Sequence, residues 1–245
     1  MKIFELKCEA YLKNDLELKD SFDVLSKYIN YSIYFNKKID SEDKIGIINN
    51  YCFGNFYPTE IDRVYKKGKI YKFIIRSVDE NLITQLQEYL YENLNNDFIK
   101  VINTEKKDIE QFFISELYSA TPVIISDRRD ENGKQLFWSL DYNGDMKTLQ
   151  KRLQKNLEKK FKLFYSEELD ICENFIEKIE LKNQKPQSIY FKTKKNRDEK
   201  IIRLIGNKFK IIPNKDSFSQ KLAFLSLAVG LGEKSSLGGG FCLSR

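Results

Sequence analysis

The sequence predicts an α+β fold of two ferredoxin-like (βαββαβ) modules in tandem, with a glycine-rich loop close to the C-terminus. Three observations predict it. Apolar residues switch between the strand and helix periods in the order β-α-β-β-α-β over the first hundred residues. A similar order returns in the second half, although no residue-level repeat accompanies it. The length, 245 residues, fits one large or two small domains. The expected division is 1–113 and 114–245, with the glycine-rich loop at 230–240.

In the first module, Lys2–Leu12 reads as a strand in which Phe4, Leu6, Cys8 and Ala10 alternate with Ile3, Glu5, Lys7 and Glu9. Asp20 or Ser21 caps a helix from Phe22 onward, with Phe22, Leu25, Ile29 and Ile33 as its apolar face. Asn36–Asn50 is polar and irregular, Tyr51–Pro58 extended, and Lys66–Lys69 a turn into the strand Ile70–Arg76. Leu82, Leu86 and Leu90 mark a second helix over Asp79–Asn93. Phe98–Ile102 is a short strand, and Thr104–Glu110 a charged connector.

In the second module, Pro122–Ser126 is a strand, Arg128–Lys134 a charged, turn-rich loop, and Leu136–Tyr142 a strand returning on the first. Asp145 caps a long helix reaching about Phe164. Phe175–Lys182, Gln187–Thr193 and Lys200–Ile212 alternate like strands. Ser217–Leu227 is an amphipathic or buried helix, and Phe241–Leu243 a last strand.

Composition excludes several classes. With 18 Phe and 14 Tyr the chain can build a sizeable core, so it is not a disordered polymer. Cys8, Cys52, Cys172 and Cys242 are too far apart for a CxxC pair or zinc-ligand spacing. There is no histidine, which removes His-based metal sites and Ser-His or Cys-His nucleophiles. No metal site and no cofactor is expected. Scattered cysteines fit a reduced, cytoplasmic compartment. The N-terminus lacks signal-peptide form, and the uncharged run Leu222–Gly232 is well short of the roughly 20 residues a membrane span needs, so no membrane contact is expected.

Net charge is +6, unevenly spread: residues 1–115 carry 17 basic and 19 acidic side chains, residues 116–245 carry 25 and 17. That asymmetry points to a polyanionic partner on the second half. Lys147, Lys151, Lys155 and Lys159 fall four apart and form one ridge on the predicted helix, opposite Leu149, Leu153, Leu157, Phe161 and Phe164. Arg128 and Arg129 precede it, and Lys192, Lys194, Lys195, Arg197 and Lys200 form a second cluster at a hairpin tip. A solvated lysine face is the alternative in each case. Five of the eleven glycines lie in the last sixteen residues, more than a tight turn requires. Gly232, Lys234, Ser235, Ser236, Gly238 and Gly239 are the candidates there for contacting phosphate. The Gly-Glu-Lys-Ser string is not a P-loop: Lys234 follows no glycine, and the helix precedes the loop instead of following it.

The string Gly230-Leu231-Gly232-Glu233-Lys234-Ser235-Ser236-Leu237-Gly238-Gly239-Gly240, placed after an apolar helix, resembles the signature of the CRISPR-associated repeat-processing endoribonucleases, the Cas-six family. The stretches from Ser115 to Ile124, Leu149 to Lys160 and Leu204 to Phe209 are similar to that family too. The resemblance implies two tandem ferredoxin-like (RRM-like) domains. It also implies metal-independent cleavage of CRISPR repeat RNA, in which the 2′-hydroxyl upstream of the scissile bond attacks the phosphate. The implied partners are CRISPR repeat RNA and other CRISPR effector subunits; a homodimer stays open.

Family members commonly carry a histidine between the first helix and second strand, near Asp43 or Lys44 here, and this chain has none. Nothing in the sequence marks a replaced residue. Tyrosine and lysine are poor general bases at neutral pH, with ordinary pKa values of about 10 and 10.4. A protonated lysine can still stabilise a charged phosphorane, and a tyrosine can orient the attacking hydroxyl. Tyr28, Tyr31, Tyr34, Lys37, Lys38 and Lys44 are the candidates, with Tyr31 and Lys44 chosen by position as catalytic. Two readings follow: an endoribonuclease with a histidine-free site, or a catalytically inactive repeat-RNA-binding subunit of an effector assembly.

Overall fold

Alternation along the first strand sets the architecture. The computed structural model describes residues 1–36, 50–93, 96–142, 144–165, 174–195 and 198–245. β1 (Lys2–Leu12) turns Phe4, Leu6, Cys8, Ala10 and Leu12 into one buried face. A short β2 (Leu16–Glu17) leads directly into α1 (Leu18–Asn36). β3 (Tyr51–Phe53), β4 (Val64–Tyr65), β5 (Ile70–Ser77), α2 (Glu80–Tyr89) and β6 (Ile99–Glu110) complete the first half. Its antiparallel sheet runs β3-β5-β1-β6, the 4-1-3-2 order of a ferredoxin-like unit read from the other edge, with β2 and β4 as a separate pair.

The second half continues with β7 (Leu117–Ser119), β8 (Ser126–Arg129), β9 (Gln135–Phe137), α3 (Met146–Phe164), β10 (Ile176–Leu181), β11 (Gln187–Lys195), β12 (Asp198–Gly206), β13 (Phe209–Pro213), α4 (Ser217–Val229) and β14 (Cys242–Ser244). Its four-stranded sheet, β10-β13-β7-β14, repeats the same order. β8–β9 and β11–β12 are hairpins outside it. The tandem ferredoxin-like architecture is therefore present, and among the described residues no helix is long and apolar enough to cross a membrane.

α4 holds the two halves together. Every residue from Leu222 to Val229 is buried, as expected of a helix apolar on all sides. Asp216 caps its start by accepting from Ser219 N at 2.9 Å. The helix packs on α3 and β13 and also on β1, β3 and β5 of the first sheet. Ile3, on the face of β1 turned away from α1 and α2, joins the second core for this reason. Nearby, Arg76 Nε donates to Glu5 Oε2 at 2.7 Å, Arg76 Nη1 donates to the Cys242 carbonyl at 2.7 Å, and the guanidinium stacks 4.8 Å from the Phe241 ring.

Several sequence expectations need correction. α1 starts at Leu18, because Leu18 N donates to Arg63 O and the β2–β4 pair sets the entry; Asp20 lies in its first turn and Ser21 Oγ bonds back to Leu18 O. Thr104–Glu110 is strand, since β6 pairs with β1 along its whole length. α2 ends at Tyr89 instead of Asn93. Pro122–Ile125 is extended with only single bridges, Val123 to Asn207 and Ile124 to Glu233, and Ser126 already opens β8 by pairing with Phe137; the sheet strand is β7, before it. Arg128 and Arg129 belong to β8, and Lys200–Ile212 breaks into β12 and β13 at Asn207 and Lys208.

Candidate functional site

Asp145 starts α3 by accepting from Thr148 N at 2.8 Å and Lys147 N at 3.3 Å. With the start fixed, Leu149, Leu153, Leu157 and Phe161 turn into the core, and Lys147, Lys151, Lys155 and Lys159 turn outward as four exposed cations one turn apart. Among the described residues none of the four is ion-paired. A second row of the same helix, Arg152, Asn156 and Lys160, borders the core. Arg152 donates to Ser126 O at 3.0 Å and pairs with Asp127 at 2.9 Å, which ties the β8–β9 hairpin to α3. Arg128 and Arg129 project from that hairpin into solvent, with Arg129 donating to Gly133 O.

The glycine-rich loop threads between the two halves. Leu231 N donates to Gly240 O, Glu233 N to Ile124 O and Gly240 N to Pro122 O, all at 2.7–2.8 Å. Ser235–Leu237 is a 3-10 turn whose Ser236 carbonyl accepts from Ser26 Oγ of α1 at 3.1 Å. Gly240 has φ +67°, and a Cβ there would meet Leu231 O at 1.9 Å; only glycine fits this crossing. Gly232, Ser235, Ser236, Gly238 and Gly239 are buried, and Gly238 N and Gly239 N already donate to Ser235 O and Lys234 O. Of the six loop candidates, Lys234 alone is exposed. The glycines therefore serve close backbone packing, and Lys234 is the side chain the loop offers to solvent.

α1 has two unlike flanks. Phe22, Ser26 and Asn30 face the glycine loop and β3: Gly238 abuts Phe22, and Tyr51 O–H donates to Asn30 Oδ1 at 2.9 Å. Asp20, Asp23, Lys27 and Tyr31 line a hollow of about 530 Å³ with Asp15, Glu17, Asp97 and Lys192. Tyr31 is 41% exposed there, among carboxylates that oppose an approaching phosphate. Tyr28 is a core residue; its hydroxyl donates to Leu90 O at 2.5 Å, and burial pushes its pKa up to about 12. The side chains of Tyr34, Lys194 and Lys195, and Lys37, Lys38, Asp43, Lys44 and Arg197 as a whole, lie outside the described residues. Lys192 anchors the β11–β12 hairpin to α1 through Asp20 at 3.4 Å.

Sequence reasoning missed a groove of about 1090 Å³ between the two sheets. Lys7, Lys19, Arg63, Lys72 and Lys208 line it, with Lys19 paired to Glu17 at 2.6 Å and Lys72 to Glu9 at 3.2 Å, and Phe22, Tyr57, Tyr190 and Phe241 supply aromatic surface. Tyr57 is 71% exposed. Burial lowers the pKa of Lys208. A cationic channel edged by aromatic rings suits a single nucleic-acid strand, whose phosphates meet the cations and whose bases stack on the rings. The slight negative charge of the first half thus hides a sorting: cations from that half line the groove, while acids gather in the hollow beside Tyr31.

Three comparisons bear on the site. A family model described as CRISPR associated protein Cas6, C-terminal, matches residues 104–243. The CRISPR-associated endoribonuclease Cas6 2 of Methanocaldococcus jannaschii is 26% identical over 234 residues, covering 90% of this chain and 92% of that protein. Two solved structures share the fold at TM-score 0.67: a CRISPR associated protein Cas6 at 18% identity, and an RAMP protein binding different RNA substrates at 14%, with 99% of each chain covered in both cases.

Proposed function

The chain belongs to the CRISPR-associated Cas6 family, and from that premise we propose that it binds CRISPR repeat RNA and cleaves the precursor transcript without histidine or metal. The basic, aromatic-edged groove between the sheets carries the RNA-binding part of this reading. The exposed ridge of Lys147, Lys151, Lys155 and Lys159, with Arg128, Arg129 and Lys234, extends the cationic surface for further backbone contacts, which position RNA without reading its sequence.

In the proposed reaction the 2′-hydroxyl upstream of the scissile bond loses its proton and attacks the adjacent phosphorus. The P–O5′ bond breaks, leaving a 2′,3′-cyclic phosphate and a protonated 5′-hydroxyl. Positioning for in-line attack and cations near the phosphorane supply the acceleration. Lys44 is the proposed cation. Tyr31 has a weaker claim, because its hollow is rich in carboxylates.

The test incubates labelled repeat RNA with the protein in EDTA, beside RNA carrying a single 2′-deoxy at the scissile position. One cut that the 2′-deoxy abolishes supports the reading; a cut that needs added metal overturns it. Binding without cutting selects the inactive RNA-holding subunit, the second reading, which the absence of histidine favours. Lys44→Ala is expected to slow cleavage at least tenfold. Tyr31→Phe is expected to stay within about threefold, since lost general catalysis would cost about 10²–10⁴-fold.

A further inference from the structure

Lys160 lies beside the exposed ridge in sequence but points the other way. Its Nζ donates to three main-chain carbonyls: Val229 at 3.1 Å, Gly230 at 3.0 Å and Gly232 at 2.7 Å. Three donors meet three acceptors, so the ammonium is fully used. The acceptors are the end of α4 and the first residues of the glycine-rich loop, where a helix C-terminus presents partial negative charge. Burial lowers the pKa to about 8, so the group is still cationic at neutral pH. From β3 and β14 the thiols of Cys52 and Cys242 face it, and Glu233 faces it from the loop.

A buried cation costs stability that an apolar side chain of the same size would not. Here it fixes geometry. The loop segment that Lys160 grips continues through the Leu231–Gly240 crossing to the 3-10 turn, which touches Ser26 and Phe22 of α1. One side chain of α3 thus links the helix carrying the lysine ridge to the loop, and through the loop to α1.

We propose that Lys160 is a positioning residue for RNA cleavage: it holds the glycine-rich loop and α1 in fixed register with the phosphate-binding ridge of α3. This rests on the repeat-RNA reading above. The ridge would hold RNA with or without Lys160, but the cutting geometry would not survive its loss.

The test compares wild type, Lys160→Met and Lys160→Arg on repeat RNA at 20 °C, each confirmed folded by circular dichroism. Expected for Lys160→Met is a Kd within about threefold of wild type and a single-turnover rate at saturating protein at least tenfold lower. Partial recovery is expected in Lys160→Arg, which keeps charge and donors. An unchanged saturating rate in folded Lys160→Met overturns the proposal, as does a parallel loss of affinity and rate. If wild-type protein does not cut, the cleavage reading fails by itself, and amide hydrogen exchange then decides the role of Lys160. Exchange at least tenfold faster across residues 231–240 in Lys160→Met, with β1 and β5 unchanged, supports the link; unchanged loop exchange overturns it. If Lys160→Met does not fold, Lys160→Gln, which keeps two N–H donors without charge, takes its place under the same criteria.

Discussion

Arg76 Nε lies 2.7 Å from Glu5 Oε2 with both side chains buried, and the same guanidinium reaches the Cys242 carbonyl on the last strand. The pair thus joins the first sheet to the second. Removing one partner strands the other charge away from water, which costs about 3–5 kcal/mol. Arg76→Met is expected to lose that much in urea unfolding. Glu5→Leu combined with Arg76→Met is expected to recover most of it, and a double variant as weak as the single one would show that the pair is not the cause.

Two glycines with positive φ allow conformation and packing to be separated. Gly240 (φ +67°) has Leu231 O where a Cβ would go, whereas Gly68 (φ +80°) has nothing within 4 Å. Gly68→Ala should cost about 1 kcal/mol from the backbone alone. Gly240→Ala should cost roughly 2–4 kcal/mol, because the loop crossing must also open. Equal losses in urea unfolding would refute the packing account of the loop.

Salt dependence tests the ridge. Each lysine that neutralises a phosphate of a single strand adds about 0.7 to the slope of log affinity against log salt. Changing Lys147, Lys151, Lys155 and Lys159 to Gln together should lower that slope by up to about 3. A slope equal to wild type would make the ridge an ordinary solvated face.

Burial of Lys160 gives stability a definite pH dependence. Its folded pKa, about 8, lies below the ordinary 10.5, so the folded state binds this proton less tightly than the unfolded state does. The stabilisation is fully present above pH 10.5 and is lost as pH falls through 8. The stability of wild type relative to Lys160→Met should therefore rise between pH 8 and 10, by about 2–3 kcal/mol at 1.36 kcal/mol per unit. A difference that is flat or falls would contradict a buried ammonium.

Most elements were legible where one helix or strand buries one face. α3 followed from Asp145 and the Leu149–Leu153–Leu157 row, and β5 from its alternation. β6 was hidden because it is an edge strand whose Thr104–Glu110 stretch, mostly charged, is largely exposed, so its composition resembles a connector. The groove could not be read at all: Lys7, Lys72 and Lys208 converge only when the two sheets meet. Lys159 and Lys160 are adjacent and chemically identical, and a 100° turn of the helix alone separates the solvated one from the half-buried one, whose ammonium is tied to main-chain carbonyls. The glycine-rich loop stood out in composition. Which of its groups face solvent depended on the crossing at Leu231, which composition does not encode.

Tandem modules usually keep separate cores and can unfold one after the other. Here α4 belongs to the core of the second half while its opposite side covers the first sheet. Neither half can melt without stripping apolar cover from its neighbour. The two cores are therefore expected to unfold as a single cooperative unit despite the doubled topology, and a cavity cut at Leu225 or Phe224 should lower one shared melting transition instead of splitting it in two.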